Sequence, residues 1–360
     1  NTIVNTKTNG LLMSGASASA ILKNNLFYDT VSPVSGTVGN GSDYNATDNS
    51  TLGYTVTGGG NTHDVTSTAL TFISPGSPNY DYHLGPVNTG VIDKGVTIST
   101  YWSDDFDGQT RPSGSAWDIG ADEFVNTAPN APVSLGQYQS GCSSSISTST
   151  YWTSTSTVCF QGVISDPDLN DLEKLQVELS TSTFSGSSNY TASSFTTSTA
   201  TSSSSATATS SITVSSLPDG NYKWQSRLLD YSNGTSSFTQ FNSGNNSFGI
   251  DTTAPTGTIA SSTFGTITSS TITINRPSTS TITESGSGLY QWQVRRNSTT
   301  TLSAVSTSTA TTSDSSLTSN TQYTYDVRFY DLVGNISSYG ATSSKYTLTP
   351  SPANFSATAS

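Results

Sequence analysis

The sequence is poor in charge, sulfur and histidine. Of 360 residues only 10% are charged, two are cysteine, one is methionine and two are histidine. Scarce charge argues against a disordered chain, because disordered segments combine low hydrophobicity with high charge. Only 12 residues are basic against 24 acidic, a formal net charge of −12. Nucleic acid binding needs a basic footprint, and none is present. No apolar run is long enough to cross a bilayer, so this segment is expected not to insert into a membrane. There is no leader pattern at the start. Apolar residues never recur at a 3.6-residue period, which excludes long amphipathic helices. The chain opens at Asn1, inside a repeat, and reads as a segment of a longer processed precursor.

Ser and Thr are abundant, often alternating as in TSTST at 153–157. Thr, Tyr, Val and Ile favour strands, and apolar residues at 32% suffice for thin sheets with one wet face. The expected fold class is all-β. The two cysteines, Cys142 and Cys159, flank a Ser/Thr-rich stretch suited to a hairpin, and are expected to form one disulfide in an oxidising compartment.

The first part of the chain consists of short strands (TIVN, GLLM, AILKNNLFY) between Gly, Asn and Ser turns. Strands this short suit the coils of a solenoid, in which each coil stacks on the next. Adjacent Asn24 and Asn25 are placed to bond the equivalent turn of the neighbouring coil. The stretch resembles right-handed parallel β-helix repeats of the pectate-lyase-like kind in secreted bacterial proteins. Downstream, Asp93, Gly95, Asp105, Gly108, Arg111, Pro112, Asp118, Ile119, Gly120, Ala121 and Glu123 resemble the closing segment of such proteins, with a DIGAxEF-type motif. Asp122 departs from the usual aromatic before the Glu. A solenoid end needs polar closure, and Arg111 is expected to bridge Asp105 and Asp118 as a cap salt bridge. A catalytic role for Asp104, Asp105 and Asp107 is not expected. The Gly-His-Gly and Arg-x-Lys of polygalacturonase-like sites are missing, and His63 and His83 lie in neither context.

The Pro-containing linkers NTAPNAP (126–132) and GIDTTAPTGT (249–258) mark boundaries. They divide the chain into a β-helix end at 1–125, Ig-like sandwiches at 126–251 and 252–349, and the start of a further module or linker at 350–360. Internal repetition supports the division. Tyr222, Trp224, Arg227 and Asp230 match Tyr323, Tyr325, Arg328 and Asp331, each 101 residues on (222 and 323). The turn, Tyr and alternating strand resemble the tyrosine-corner strand of fibronectin type III and Ig-like domains, as found in tandem in bacterial adhesins. Trp224, Tyr325 and Trp292 are expected in cores, while Tyr101-Trp102 and Tyr151-Trp152 are the better surface candidates.

The loop ISDPDLNDLEK gathers Asp166, Asp168, Asn170, Asp171 and Glu173, alternating oxygen donors of the kind calcium requires. It is no EF-hand, and its closer likeness is to inter-domain loops of bacterial Ig-like and cadherin-like repeats. Asp251, in the second linker, and Asp331 with Asn335 are further metal candidates. Sequons at Asn45, Asn189, Asn233, Asn297 and Asn335 and the Ser/Thr runs offer glycosylation positions.

The expected function is that of a non-catalytic, extracellular structural or adhesive segment of a large cell-surface protein, a stalk or a filament subunit. The alternative is an accessory region of a secreted polysaccharide-degrading or glycan-binding β-helix protein. Calcium is the one expected cofactor. Expected partners are further copies or neighbouring modules of the same chain, glycans, or the surfaces of host or neighbouring cells.

Overall fold

The structure is a computed structural model that describes residues 1–14, 19–148, 152–168, 170–197, 199–200, 208–260 and 263–351. Among these the chain is all-β, with single 3-10 turns at Phe241–Gly244 and Thr279–Thr281 and no α-helix. Tyr151 and most of 350–360 lie outside the described residues.

In the first segment, strands Thr2–Val4, Leu26–Tyr28 and Ala46–Thr47 pair in parallel as one three-stranded sheet. Strands Asn9–Leu12, Ser32–Val38 and Tyr54–Val56 form a second parallel trio. Leu26 and Phe27 are neighbours on one strand, so they face opposite ways. Leu26 enters a cluster with Ala46, Phe72, Leu84, Val91 and Ile119, while Phe27 enters another with Val34, Val38, Leu52 and Val56. The strand read over AILKNNLFY is shorter than expected, because Asn24 takes a left-handed conformation (φ 54°) that begins it late. The asparagines then form a ladder. Asn1 Nδ2 donates to Asn25 Oδ1 at 2.9 Å, Asn25 Nδ2 to Asn45 Oδ1 at 2.8 Å, and the Asn45 N–H to Asp64 Oδ1 at 2.8 Å. Asn25 and Asn45 are buried, so these amides need such partners.

The closing segment packs on this stack, but its charges are arranged differently from the expected cap. Arg111, nearly buried, lies 3.6 Å from the Glu123 carboxylate and donates to the carbonyls of Asp118 and Gly120 at 3.2 Å each. The carboxylates of Asp105 and Asp118 do not pair with it. Asp118 instead accepts the N–H groups of Asp93 and Phe124, and Asp105 those of Asp107, Gln109 and Glu123. The reason is local: this segment has no strand ladder to occupy its amides, so the acids satisfy them.

Each sandwich packs one sheet on another around its own core. In the first, Val133–Gln139 and Ala208–Val214 flank Val158–Asp166, and the facing sheet is built on Leu172–Ser180, Gly220–Asp230 and Phe248–Ile250. Phe160 and Val214 from one sheet meet Leu175, Trp224 and Phe248 from the other. In the second, Phe264–Ile267, Ile272–Asn275 and Thr311–Asp314 face Leu289–Arg296, Gln322–Asp331 and Ser343–Tyr346. Trp224, Trp292 and Tyr325 are all fully buried, as their strand positions implied. The repeat is physical as well as textual. Tyr222 donates through Oη to the Pro218 carbonyl at 2.8 Å, the corner bond of such sandwiches. Arg227 donates to Gln176 and Arg328 to Gln293, both at 2.8 Å.

Cys142 and Cys159 are joined, with Cα atoms 5.3 Å apart. Cys142 lies in the turn after Val133–Gln139, and Cys159 in the strand paired with it, so the bond closes the long loop between paired strands. Its 17-residue separation corresponds to about 3 kcal/mol of lost chain entropy in the unfolded state. Replacing both cysteines with serine is therefore expected to lower the unfolding free energy of the first sandwich by about 2–4 kcal/mol in urea melts. An unchanged midpoint would show that the loop is already closed by its hydrogen bonds.

Candidate metal centres

The strand Val158–Asp166 ends on an acid, and the chain must then turn to start Leu172–Ser180. Asp and Asn suit that turn because they bond their own backbone. Here Asp166 Oδ1 accepts the Asp168 N–H and Asp171 Oδ1 the Leu172 N–H, each at 2.6 Å. The folded turn brings oxygens of Asp166, Asp168 and Asp171 within 4.8 Å of one another. Asp166 and Asp171 are fully buried, and the Oδ2 atom of each has no hydrogen-bond partner. Buried carboxylate oxygens without donors are costly, since neither water nor an N–H offsets the lost hydration.

Two more acids crowd the place. Strand register sets Glu173 directly opposite Asp230, both buried, and like charges opposite each other destabilise a sheet. Glu173 also meets Asp166 side chain to side chain. None of the described ion pairs joins Asp166, Asp168, Asp171 or Asp230. Burial, with the charge of Asp230 adding to it, raises Asp166 to about 6 and Asp171 to about 7, and Asp168 rises as well. Asn170 does not join the cluster. It is exposed and supplies the left-handed turn residue (φ 64°) that lets Asp171 fold back.

The first linker ends on the same acids. Thr127 N–H donates to Asp168 Oδ2 at 2.6 Å, and Asn126 Nδ2 to Asp230 Oδ2 at 3.0 Å. Gly234 presses against Asp230 so closely that a Cβ would fall 2.2 Å from Oδ2.

A second cluster joins Asp251 and Asp331 with Glu284, again with oxygens within 4.8 Å. Both aspartates stand among the sequence candidates, and Glu284 does not. A signal for it is nonetheless present: ITESGSGL repeats ISDPDLNDL one residue shorter, placing Glu284 where Asp166 stands. In this cluster the carboxylates are better served. Asp251 accepts the N–H groups of Thr253 and Ser287, Glu284 those of Gly286 and Gly288, and Asp331 those of Val333 and Asn335.

A third group, His83, Asp107 and Asp122, closes on itself. His83 Nδ1 lies 2.5 Å from Asp81 and Nε2 2.7 Å from Asp107. Burial pulls His83 down, but the two carboxylates outweigh it and hold the ring above its ordinary value. Both ring nitrogens are engaged, by Asp81 and Asp107.

Of the aromatic surface candidates, Tyr101 and Trp102 are 79% and 67% exposed and flank a groove of about 650 Å³ with Asp104 and Lys23. Trp152 differs from expectation. Its ring rests on Gly249, where any Cβ would meet it at 2.4 Å.

No protein-family model matches this chain, and no curated protein does. Among solved structures it is similar to fibronectin type III arrays. The FN1–FN3 domains of chicken CNTN1 align with a TM-score of 0.29 and 14% identity, over 62% of this chain and 69% of that one. The central fibronectin-III array of RIM-binding protein gives 0.20 and 16%, over 62% and 69%. A two-domain fibronectin type III segment of chicken tenascin gives 0.22 and 13%, over 61% of this chain and all of that one. No helix among the described residues is long and apolar enough to cross a membrane.

Proposed function

We propose that this chain is a non-catalytic structural and adhesive segment of an extracellular surface protein, with a calcium ion bracing the joint before its first sandwich. On this reading residues 1–125 are the end of a right-handed parallel β-helix, and 126–251 and 252–349 are Ig-like modules. The observation that carries it is the meeting of linker and acids. Asn126 and Thr127 are bonded to Asp230 and Asp168, beside fully buried Asp166 and Asp171 oxygens that have no donor. Calcium fits this donor set, being a hard cation that takes six to eight oxygens in irregular geometry. Asp166, Asp168 and Asp171 would hold it, and its charge would offset the crowding around Asp230. The disulfide supports an oxidising, extracellular location.

A second reading, glycan binding, is favoured by exposed Tyr101 and Trp102 beside the groove. Adjacent exposed rings bordering a groove make the contiguous apolar surface on which partners settle.

Limited proteolysis tests the braced joint. Cleavage within residues 126–132 is expected to be at least about tenfold slower in calcium than in chelator, equivalent to about 1.4 kcal/mol of closing free energy. Equal rates in both would discard the reading.

A further inference from the structure

We propose that Asp251, Glu284 and Asp331 form a second divalent-cation site, so that each joint leading into a sandwich carries its own ion. The inference rests on the calcium reading of the Asp166 cluster, which it extends to a place where the ligands come from a linker.

The two clusters occupy one position in two copies of a module. Asp230 and Asp331 end equivalent strands, 101 residues apart (230 and 331). Asp166 and Glu284 follow the equivalent residues Ile164 and Ile282, both turned into the cores. Each cluster also joins to the linker through an asparagine amide. In the first, Asn126 Nδ2 reaches from the linker to Asp230. In the second, Asn335 Nδ2 reaches both Asp331 Oδ2 at 2.7 Å and the Asp251 carbonyl at 2.8 Å.

What changes is the source of charge. The residue opposite Asp331 in the strand pair is Leu289, where the first module has Glu173 opposite Asp230. The missing acid is replaced from the linker, by Asp251, which immediately follows the last strand of the first sandwich. An ion held between Asp251 and the Glu284–Asp331 pair would therefore tie one module to the next.

Two further features mark the place as built for a ligand. Gly286 packs so tightly on the Asp251 carboxylate that a Cβ would stand 2.3 Å from its carbon, pinning the loop there. Ser287 donates its N–H to Asp251 Oδ2 at 2.7 Å, is 7% exposed, and has an Oγ with no partner. An unpartnered hydroxyl on the residue whose N–H holds Asp251 is a spare hard oxygen in the loop that carries the cluster. Because backbone amides already serve the carboxylates here, this site is expected to bind more weakly than the first.

Calorimetric titration of the full chain with calcium chloride decides the matter. Wild type is expected to bind two ions, and Glu284→Gln and Asp171→Asn one each. The amide introduced by E284Q keeps an oxygen that can accept from Gly286 and Gly288, and Asp251→Asn serves as an independent variant should E284Q unfold by circular dichroism. One ion in wild type, lost in D171N and kept in E284Q, overturns the second site and leaves the first standing. One ion lost in E284Q and kept in D171N overturns the first and supports the second. No binding overturns both.

Discussion

Stripped of divalent ions, the protein is expected to become more stable as the pH falls from 8 to 5, and calcium is expected to flatten that trend. The sign follows from Asp166 and Asp171. Their folded pKa values, about 6 and about 7, lie above the ordinary value of 3.8, so the folded state holds protons that the unfolded state releases. Stability therefore rises as pH falls through 7 and 6, and the rise ends near the unfolded value. One pKa unit corresponds to about 1.4 kcal/mol, and a coupled cluster relaxing toward solvent retains about 2–3 kcal/mol in all. For a module of this size that is a Tm difference on the order of 10 °C. Calcium at about a hundredfold excess over its Kd adds about 2.7 kcal/mol at pH 8, where the carboxylates are ionised, and less at pH 5. Asp118, raised to about 7 by burial in the closing segment, contributes in the same direction but has no part in the cation response. Asp171→Asn separates the two. It should raise the metal-free Tm at pH 8 by removing one crowded charge, and it should abolish most of the calcium shift. A Tm in chelator that is flat from pH 5 to 8 would refute the account of the cluster.

Truncating Trp224 to alanine is expected to cost the first sandwich about 3–5 kcal/mol from the lost side chain alone. The indole is fully buried between Phe160 and Phe241, with ring centroids 4.8 and 4.9 Å away. Its Nε1 also donates to Gln137 Oε1 at 3.0 Å, while the Gln137 amide donates to the carbonyls of Ile146 and Ser247. Removing the indole leaves that oxygen buried without a donor, adding about 1–3 kcal/mol. Domains of this kind have only about 5–15 kcal/mol in total, so the variant is near the limit of folding. Urea denaturation followed by circular dichroism should show the first sandwich melting early and the second unchanged. A loss below about 1 kcal/mol would mean the core closes around the gap.

Features set by local pattern are legible in the sequence, and features set by register are not. Trp224, Trp292 and Tyr325 can be read as core because strand alternation fixes which way a residue faces. The disulfide is legible because Cys142 and Cys159 have no other partner to choose. Asp166, Asp168 and Asp171 are legible because three acids in one turn cannot avoid one another. Glu173 is legible as a further acid of that loop, and its parity with inward-facing Leu175 and Val177 marks it as buried. Its crowding depends on pairing with Asp230 from a distant strand, which no local window contains. Asn170 has the chemistry of a ligand, whereas the backbone uses it for the left-handed turn. Arg111 misleads for a similar reason. Asp105 and Asp118 are consumed by backbone N–H groups, leaving Glu123 as its ionic partner.

The asparagine ladder has a consequence for how such a chain can change length. Asn1 and Asn25 each meet the next asparagine through a side-chain amide contact, and Asn45 meets the Asp64 carboxylate. Duplicating the Asn25–Asn45 repeat would give each asparagine a partner like the one it lost, whereas a partial insertion would strand a buried amide. At these two rungs the first segment is thus open to change in length by whole repeats and closed to change by fractions of one.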